Sequence, residues 1–268
     1  MSKIEYFFSS FRDFNQVALG DTIFHKIDPR AKLLVTIIFI GMVLSYHKYE
    51  VISLIPFFSY PLIFILGGKI PFKLVFKRAL LVSPFVLLIA IFNPFLDRAA
   101  LYTLNGLEIS GGLVSFFSII LRFFLTISSI IILLASTKFE TFCFSLQKLK
   151  APSIFVVQLL LMWRYIFVLL EETARMVRAY FLRNFNLKKG IKFRIYIYIL
   201  GNLLLRSLAR AQRIYLAMLS RGFQGKIMII DDQKFGVREI FYVSGWTLFF
   251  VGLRFLNLPY KMGLLFWS

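Results

Sequence analysis

The run GLVSFFSIILRFFLTISSIIILLAS (112–136) is twenty-five residues long and carries one charge, Arg122. About 20 consecutive apolar residues suffice to cross the hydrocarbon core of a bilayer as a helix, so this stretch alone places the chain among membrane proteins. Four further runs have the same character. Ala31 to Tyr46 follows Asp28-Pro29, an N-cap residue followed by proline at the first helical position. Tyr49 to Leu66 contains Pro56 and Pro61, and Ala79 to Leu96 contains Pro84 and Pro94. Prolines inside a span are tolerated where neighbouring helices satisfy the freed carbonyls. Ile240 to about Leu258 closes the set. The first 28 residues are polar and mixed in charge, and no small-residue cleavage site follows the first apolar run, so that run is expected to remain as a span.

Composition agrees. Hydrophobic residues make up 59% of the 268, with 33 Phe, whereas soluble domains average roughly 45–50%. The net charge of +19 is concentrated in one region. Between Thr137 and Glu239 stand eighteen Lys and Arg against six Asp and Glu, a net +12. Basic residues here flank apolar runs, which is the pattern of cytoplasmic loops rather than of nucleic-acid binding. The loop with Lys69, Lys73, Lys77 and Arg78 has no acid, while the next loop carries Asp97, Arg98 and Glu108. Placing the basic loops inside puts the N-terminus in the cytoplasm and, with five spans, the C-terminus outside.

The fold expected is therefore an all-α integral membrane protein with about five transmembrane helices plus long amphipathic cytoplasmic helices. Residues 1–136 form the tail and first four spans, 137–239 a cytoplasmic helical domain, and 240–268 the last span and tail. Within 137–239, IFVVQLLLMW (154–163) and IYIYILGNLLL (195–205) are too short between charges to span, so they read as amphipathic or interfacial.

Two helices are expected there. The first starts after Ala151-Pro152 and runs to about Arg183, with Arg164, Glu171, Arg175 and Arg178 on one face and a Glu171–Arg175 pair at i,i+4. The second runs from about Asn202 to Arg221, with a stripe of Arg206, Arg210, Arg213 and Arg221. Offset by 38 residues, ARMVRAYFLRNF (174–185) aligns with QRIYLAMLSRGF (212–223), so Arg183 meets Arg221. An Arg near a helix C-terminus interacts well with the macrodipole, and Gly222 is an ordinary left-handed cap. That accounts for one helix end but not for two that match. Paired basic tips suit a two-fold symmetric partner, which presents the same pocket twice.

The segments DPRAKLL (28–34), LLLMWRYIFVLLEE (159–172) and NLLLRSLARAQRIYLAMLSRGF (202–223), with the paired X-Arg-X tips, resemble the transmembrane (T) component of energy-coupling factor transporters, nearest to the cobalt-transporter CbiQ type. The resemblance implies a bacterial or archaeal inner-membrane scaffold. It would bind two ATP-hydrolysing subunits, identical or different, through Leu182-Arg183-Asn184 and Ser220-Arg221-Gly222. Arg164, Glu171, Arg175, Arg178, Arg210 and Arg213 would support the coupling helices. A separate substrate-capture membrane subunit, CbiM-like or vitamin-specific, would bind the spans and the membrane-facing side of those helices. The usual tip is Ala-Arg-Gly, so the first tip departs from the pattern at Leu182 and Asn184. Cobalt or nickel is the substrate implied, with a vitamin such as biotin as the alternative.

The remaining features point the same way. No phosphate-binding glycine loop with the required spacing exists, so ATP would be hydrolysed in other polypeptides and no cofactor is expected. A self-contained transporter would want intramembrane acids, and apart from Glu50 at a span edge the spans have none. No nucleophile–base constellation or metal-ligand cluster marks an enzyme. Arg122, inside a span, suggests function, snorkelling, or a bond to carbonyls freed near Pro84 or Pro94, with helix–helix bonding favoured over substrate contact. The aromatic residues suit lipid contact and interfacial belts.

Overall fold

The computed structural model describes residues 20, 22, 24–96, 100–104, 107–183, 193–225 and 236–256. Apart from one short hairpin these are helical. The elements are α1 (Pro29–Leu44), a 3-10 helix (Ile52–Phe58), α2 (Ser59–Gly67), α3 (Phe72–Leu96), strands β1 (Ala100–Leu104) and β2 (Leu107–Ser110), α4 (Gly111–Ala135), α5 (Phe139–Lys148), α6 (Ser153–Arg183), α7 (Phe193–Ser220) and α8 (Val237–Leu256). They fall into two compact units, one within 13–138 and 233–268 and the other within 139–232.

In the first unit, local chemistry sets the helix boundaries. Asp28 N-caps α1, its carboxylate accepting from the Arg30 amide at 2.8 Å, and Pro29 occupies the first turn. The expected second span does not form one continuous α-helix. Pro56 lacks the N–H that an α-helical turn requires, and it lies in the 3-10 stretch that precedes α2. Pro61 is tolerated because it falls in the first turn of α2. α3 begins at Phe72, seven residues before the expected span, and takes in Lys73, Lys77 and Arg78. The connection expected as a loop between α3 and α4 contains the antiparallel β1–β2 pair, with Leu104 opposite Leu107.

The core of this unit is aromatic. Phe39 of α1 stacks on Tyr60 at 4.7 Å and meets Phe250 of α8 at 5.3 Å, while Trp246 stands edge-on to Tyr60 at 5.0 Å. Offset and edge-to-face pairs of this kind each add about 1 kcal/mol beyond area burial. α3 and α4, each 25 residues, pack along one another, with Phe76 and Phe124 stacked at 6.4 Å.

In the second unit, α5 turns into α6 through Lys150, which adopts φ +71°, and Phe139 stacks on Trp163 at 4.3 Å. Among the described residues, three helices are long and apolar enough to cross a membrane: Phe72–Pro94 within α3, α4, and α6. The last of these differs from expectation. The sequence reading ended the apolar run at Arg164, yet the helix continues through that single charge with YIFVLL, which extends the apolar stretch to Leu170. α7 likewise begins nine residues before the expected start at Asn202. It absorbs IYIYIL and carries Gly201 in its interior.

Candidate functional site

The geometry that singles out α6 and α7 begins with one carboxylate. Glu172 of α6 accepts from Arg206 of α7 at 2.6 Å through Oε1, and from Arg175 at 2.9 Å through Oε2. The expected partner of Arg175 was Glu171. The i,i+3 neighbour wins because its second oxygen is also held by Arg206, so one acid ties two guanidinium groups across the helix pair.

On the other side of that tie lies an apolar groove of about 380 Å³, with Val157, Leu161 and Tyr165 facing Met218, Ile214 and Arg210. Low numbers on α6 thus face high numbers on α7, and the helices run antiparallel. Counting from the Glu172–Arg206 tie at 1.5 Å per residue, Arg183 stands about 16 Å along one direction and Arg221 about 22 Å along the other. The two tips therefore sit at opposite ends of one helix pair.

The tip of α7 is built in full. Phe223 N–H donates to the Met218 carbonyl at 3.0 Å and Gly222 N–H to Leu219 at 2.9 Å. This is the Schellman pattern, with Gly222 at φ +78° in the left-handed position and Arg221 at the C-cap. Phe223 and Met218 both line the groove, which supplies the hydrophobic contact that accompanies this cap. Ser220, whose hydroxyl donates to the Leu216 carbonyl at 3.0 Å, Arg221 and Gly222 are all exposed. At the other tip Leu182 is 72% exposed and Arg183 ends α6 on the surface. Asn184, the third residue of that tip, lies outside the described residues. Among the described residues neither Arg183 nor Arg221 has a side-chain partner, so each guanidinium presents its five donors outward.

The supporting residues divide. Arg175 is committed to Glu172 and Arg210 lines the groove. Arg178 and Arg213 carry no ion pair among the described residues. Arg164 interrupts an otherwise apolar stretch, and Glu171 is exposed. Cys143, the single cysteine, is buried in α5. Burial, and then the neighbouring Glu140, push its thiol up to about 11, which leaves it an unreactive packing group.

Arg122 is not brought into this site. Its Nη2 donates to the His47 carbonyl at 2.5 Å, just past the end of α1, rather than to carbonyls near Pro84 or Pro94. Nearby, Arg254 of α8 donates to the Ser45 carbonyl at 3.2 Å and lies over the Tyr46 ring at 4.3 Å. Two arginines from two helices thus hold the 45–47 turn. Sequence inspection missed Arg206 as the partner of Glu172, because a contact across 34 residues leaves no local spacing signal.

Residues 20–230 match the family model CbiQ, described as cobalt transport protein. Among individual relatives, the energy-coupling factor transporter transmembrane protein EcfT of Clostridium kluyveri is 26% identical over 225 residues, covering 78% of this chain and 83% of the relative. The protein of the same name from Bacillus subtilis is 26% identical, covering 77% and 82%. That of Lactococcus lactis is 27% identical over 263 residues, covering 93% and 95%.

Proposed function

The chain belongs to the CbiQ family of cobalt transport proteins, and from that premise we propose that it is the transmembrane coupling subunit of an energy-coupling factor transporter. In this reading it hydrolyses nothing itself. Two ATPase subunits grip the ends of α6 and α7 on the cytoplasmic side, and a separate membrane subunit captures the substrate. The N-terminus and the 139–232 unit lie on the cytoplasmic side of a bacterial or archaeal membrane, with α6, although long and apolar enough to cross it, laid along the surface so that both tips stay on one side. The concentration of positive charge between Thr137 and Glu239 supports that side.

The observation that carries the reading is the pair of arginines, unpartnered among the described residues, at opposite ends of one antiparallel helix pair. A two-fold dimer has two equivalent pockets set apart, and tips that point in opposite directions can reach both at once. Each Arg offers a rigid planar fork to carboxylate or backbone acceptors in its pocket. When ATP draws the two ATPases together, the tips are drawn with them, and the tied helix pair moves as a unit. The coupling energy is the difference in how well the two tips fit the open and closed ATPase dimers.

The test is the double substitution Arg183→Glu with Arg221→Glu, assayed by co-purification with the two ATPases. At least a tenfold loss of retained ATPase is expected, with each single substitution intermediate. Full retention by the double variant defeats the docking role. The substrate we assign is cobalt, the metal in the family description, or its neighbour nickel, and biotin stands for the vitamin alternative. ATP-dependent accumulation of Co²⁺ against that of biotin, in vesicles holding the whole complex, separates the two.

A further inference from the structure

Lys32 is 2% exposed, one of the most deeply buried charged groups among the described residues. A buried ammonium is tolerated only where its donors are satisfied. Its Nζ donates to the Ser136 carbonyl at 2.8 Å and to the His25 carbonyl at 3.3 Å. Ser136 is the residue directly after α4, and its amide closes the last turn onto Ile132 at 2.9 Å. α4 has no basic residue in its own last turn. The cation that a helix C-terminus favours is therefore delivered by another helix, 104 residues away in sequence. The backbone bearing Lys32 is itself held. The Thr36 hydroxyl donates to the Lys32 carbonyl at 2.8 Å, and lies 3.2 Å from the Tyr60 hydroxyl.

The position of this contact is what matters. Three residues after Ser136 the chain passes from the first compact unit into the second, at Phe139. The chain re-enters the first unit near α8, where Gly236 N–H donates to the Glu239 carboxylate at 2.9 Å in a capping arrangement. α1 and α8 pack with the Ser45 carbonyl against Arg254 near their C-terminal ends, so their N-termini share a face with the end of α4. That face carries Ser136, just after α4, and Gly236, just before α8, each a few residues from where the chain connects to the second unit. The first connection has a buried clamp on it, and the clamp is Lys32.

We propose that Lys32 is a positioning residue for energy coupling. Its ammonium fixes the exit of α4, so that displacement of the chain beyond Phe139 loads α1 and α4 together instead of unwinding the last turn of α4. This rests on the coupling function proposed above. A clamp and a packing group differ in what their loss does. Loss of packing lowers the yield of complex and lowers hydrolysis and transport in step. Loss of the clamp leaves hydrolysis running with less transport for each ATP.

The experiment uses the whole complex, with its ATPases and substrate subunit, in proteoliposomes. Phosphate release and uptake of whichever probe the wild type accumulates, Co²⁺ or biotin, are measured together. Lys32→Met keeps the volume and removes the donors, and Lys32→Gln keeps a shorter neutral donor. The expected result is at least a fivefold lower ratio of transport to hydrolysis for Lys32→Met, with Lys32→Gln between it and wild type. An unchanged ratio overturns the proposal. In case Lys32→Met does not assemble, hydrogen–deuterium exchange of residues 133–138 in the wild-type complex gives a second measurement. A clamp keeps these amides protected both without nucleotide and with ATP trapped, and opening in either state overturns it. Full retention of the ATPases by the Arg183→Glu, Arg221→Glu variant defeats the coupling function and this proposal with it, whereas a fully coupled Lys32→Met complex defeats this proposal alone.

Discussion

The two compact units are stabilised in different ways. In the first, α1, the 3-10 helix, α2 and α8 bring Phe39, Phe57, Tyr60, Phe64 and Phe250 into one buried aromatic cluster. In the second, α6 is 31 residues long yet buries only Val156 and Val157, and α7 buries none of its 28. Helices this exposed gain little from packing, and most helical stability in proteins comes from packing of an apolar face. The second unit has instead the Phe139–Trp163 stack, end caps and a carboxylate shared by two exposed guanidinium groups. The first unit carries its core within itself, and among its described residues the second leaves most of its two long helices uncovered.

Truncating the core tests the contrast most severely. Phe39→Ala should lower the stability of the purified chain by about 3 kcal/mol, toward the lower end for such a change because the unfolded reference in lipid also keeps the ring out of water. Thermal unfolding in detergent measures it. Gly222→Ala comes next. A Cβ there meets nothing within 4 Å, so the effect is the strain of φ +78° alone, about 1 kcal/mol. Because the change twists the cap under Arg221, retention of the ATPases should fall together with stability.

A smaller effect of opposite sign is expected where the same cap is made by lysine in both units. Lys69 and Lys150 adopt φ 50° and 71° and close their helices with the bonds Ile70 to Ile65 and Ala151 to Leu146. Replacing either by Gly relieves left-handed strain and should raise the unfolding midpoint by up to about 1 kcal/mol equivalent. Equal gains at the two sites would show that capping works alike in both units and that only their cores differ. Leu204→Ala on the exposed face of α7 should change the stability of the isolated chain by less than about 0.5 kcal/mol. A loss comparable to that of Phe39→Ala would erase the distinction between the units. Last, Cys143 should resist maleimide at pH 7 and label faster as the pH approaches 11. Rapid labelling at neutral pH would mean that α5 opens.

Local features of the fold were legible in the sequence and distant ones were not. Asp28-Pro29 announced the start of α1, Ala151-Pro152 the start of α6, and Gly222 the end of α7, because caps and prolines act within a turn of themselves. The expected start of α7 is about Asn202, just past Gly201. The helix continues through it, with nothing near enough to constrain that glycine. Arg164 ended the expected apolar run within α6 but not the expected helix, since one charge in an apolar helix interrupts a pattern without interrupting a backbone. Pairings across space left no trace: Glu172 with Arg206, Arg122 with the His47 carbonyl and Lys32 with Ser136 span 34, 75 and 104 residues. Of the tip residues, both arginines were visible from the alignment of the two helices. That the tips diverge emerged only from the antiparallel crossing.

The sixteen residues of α1 rise about 24 Å, while α3 and α4 each rise about 37 Å. A bilayer has about 30 Å of hydrocarbon to cover. α1 falls short of that thickness and α3 and α4 exceed it, and a mismatch of either sign is met by tilt or by local adjustment of the bilayer. Reconstitution in lipids of different acyl-chain length should therefore shift the stability of the chain, so lipid thickness itself becomes a quantity to which this protein responds.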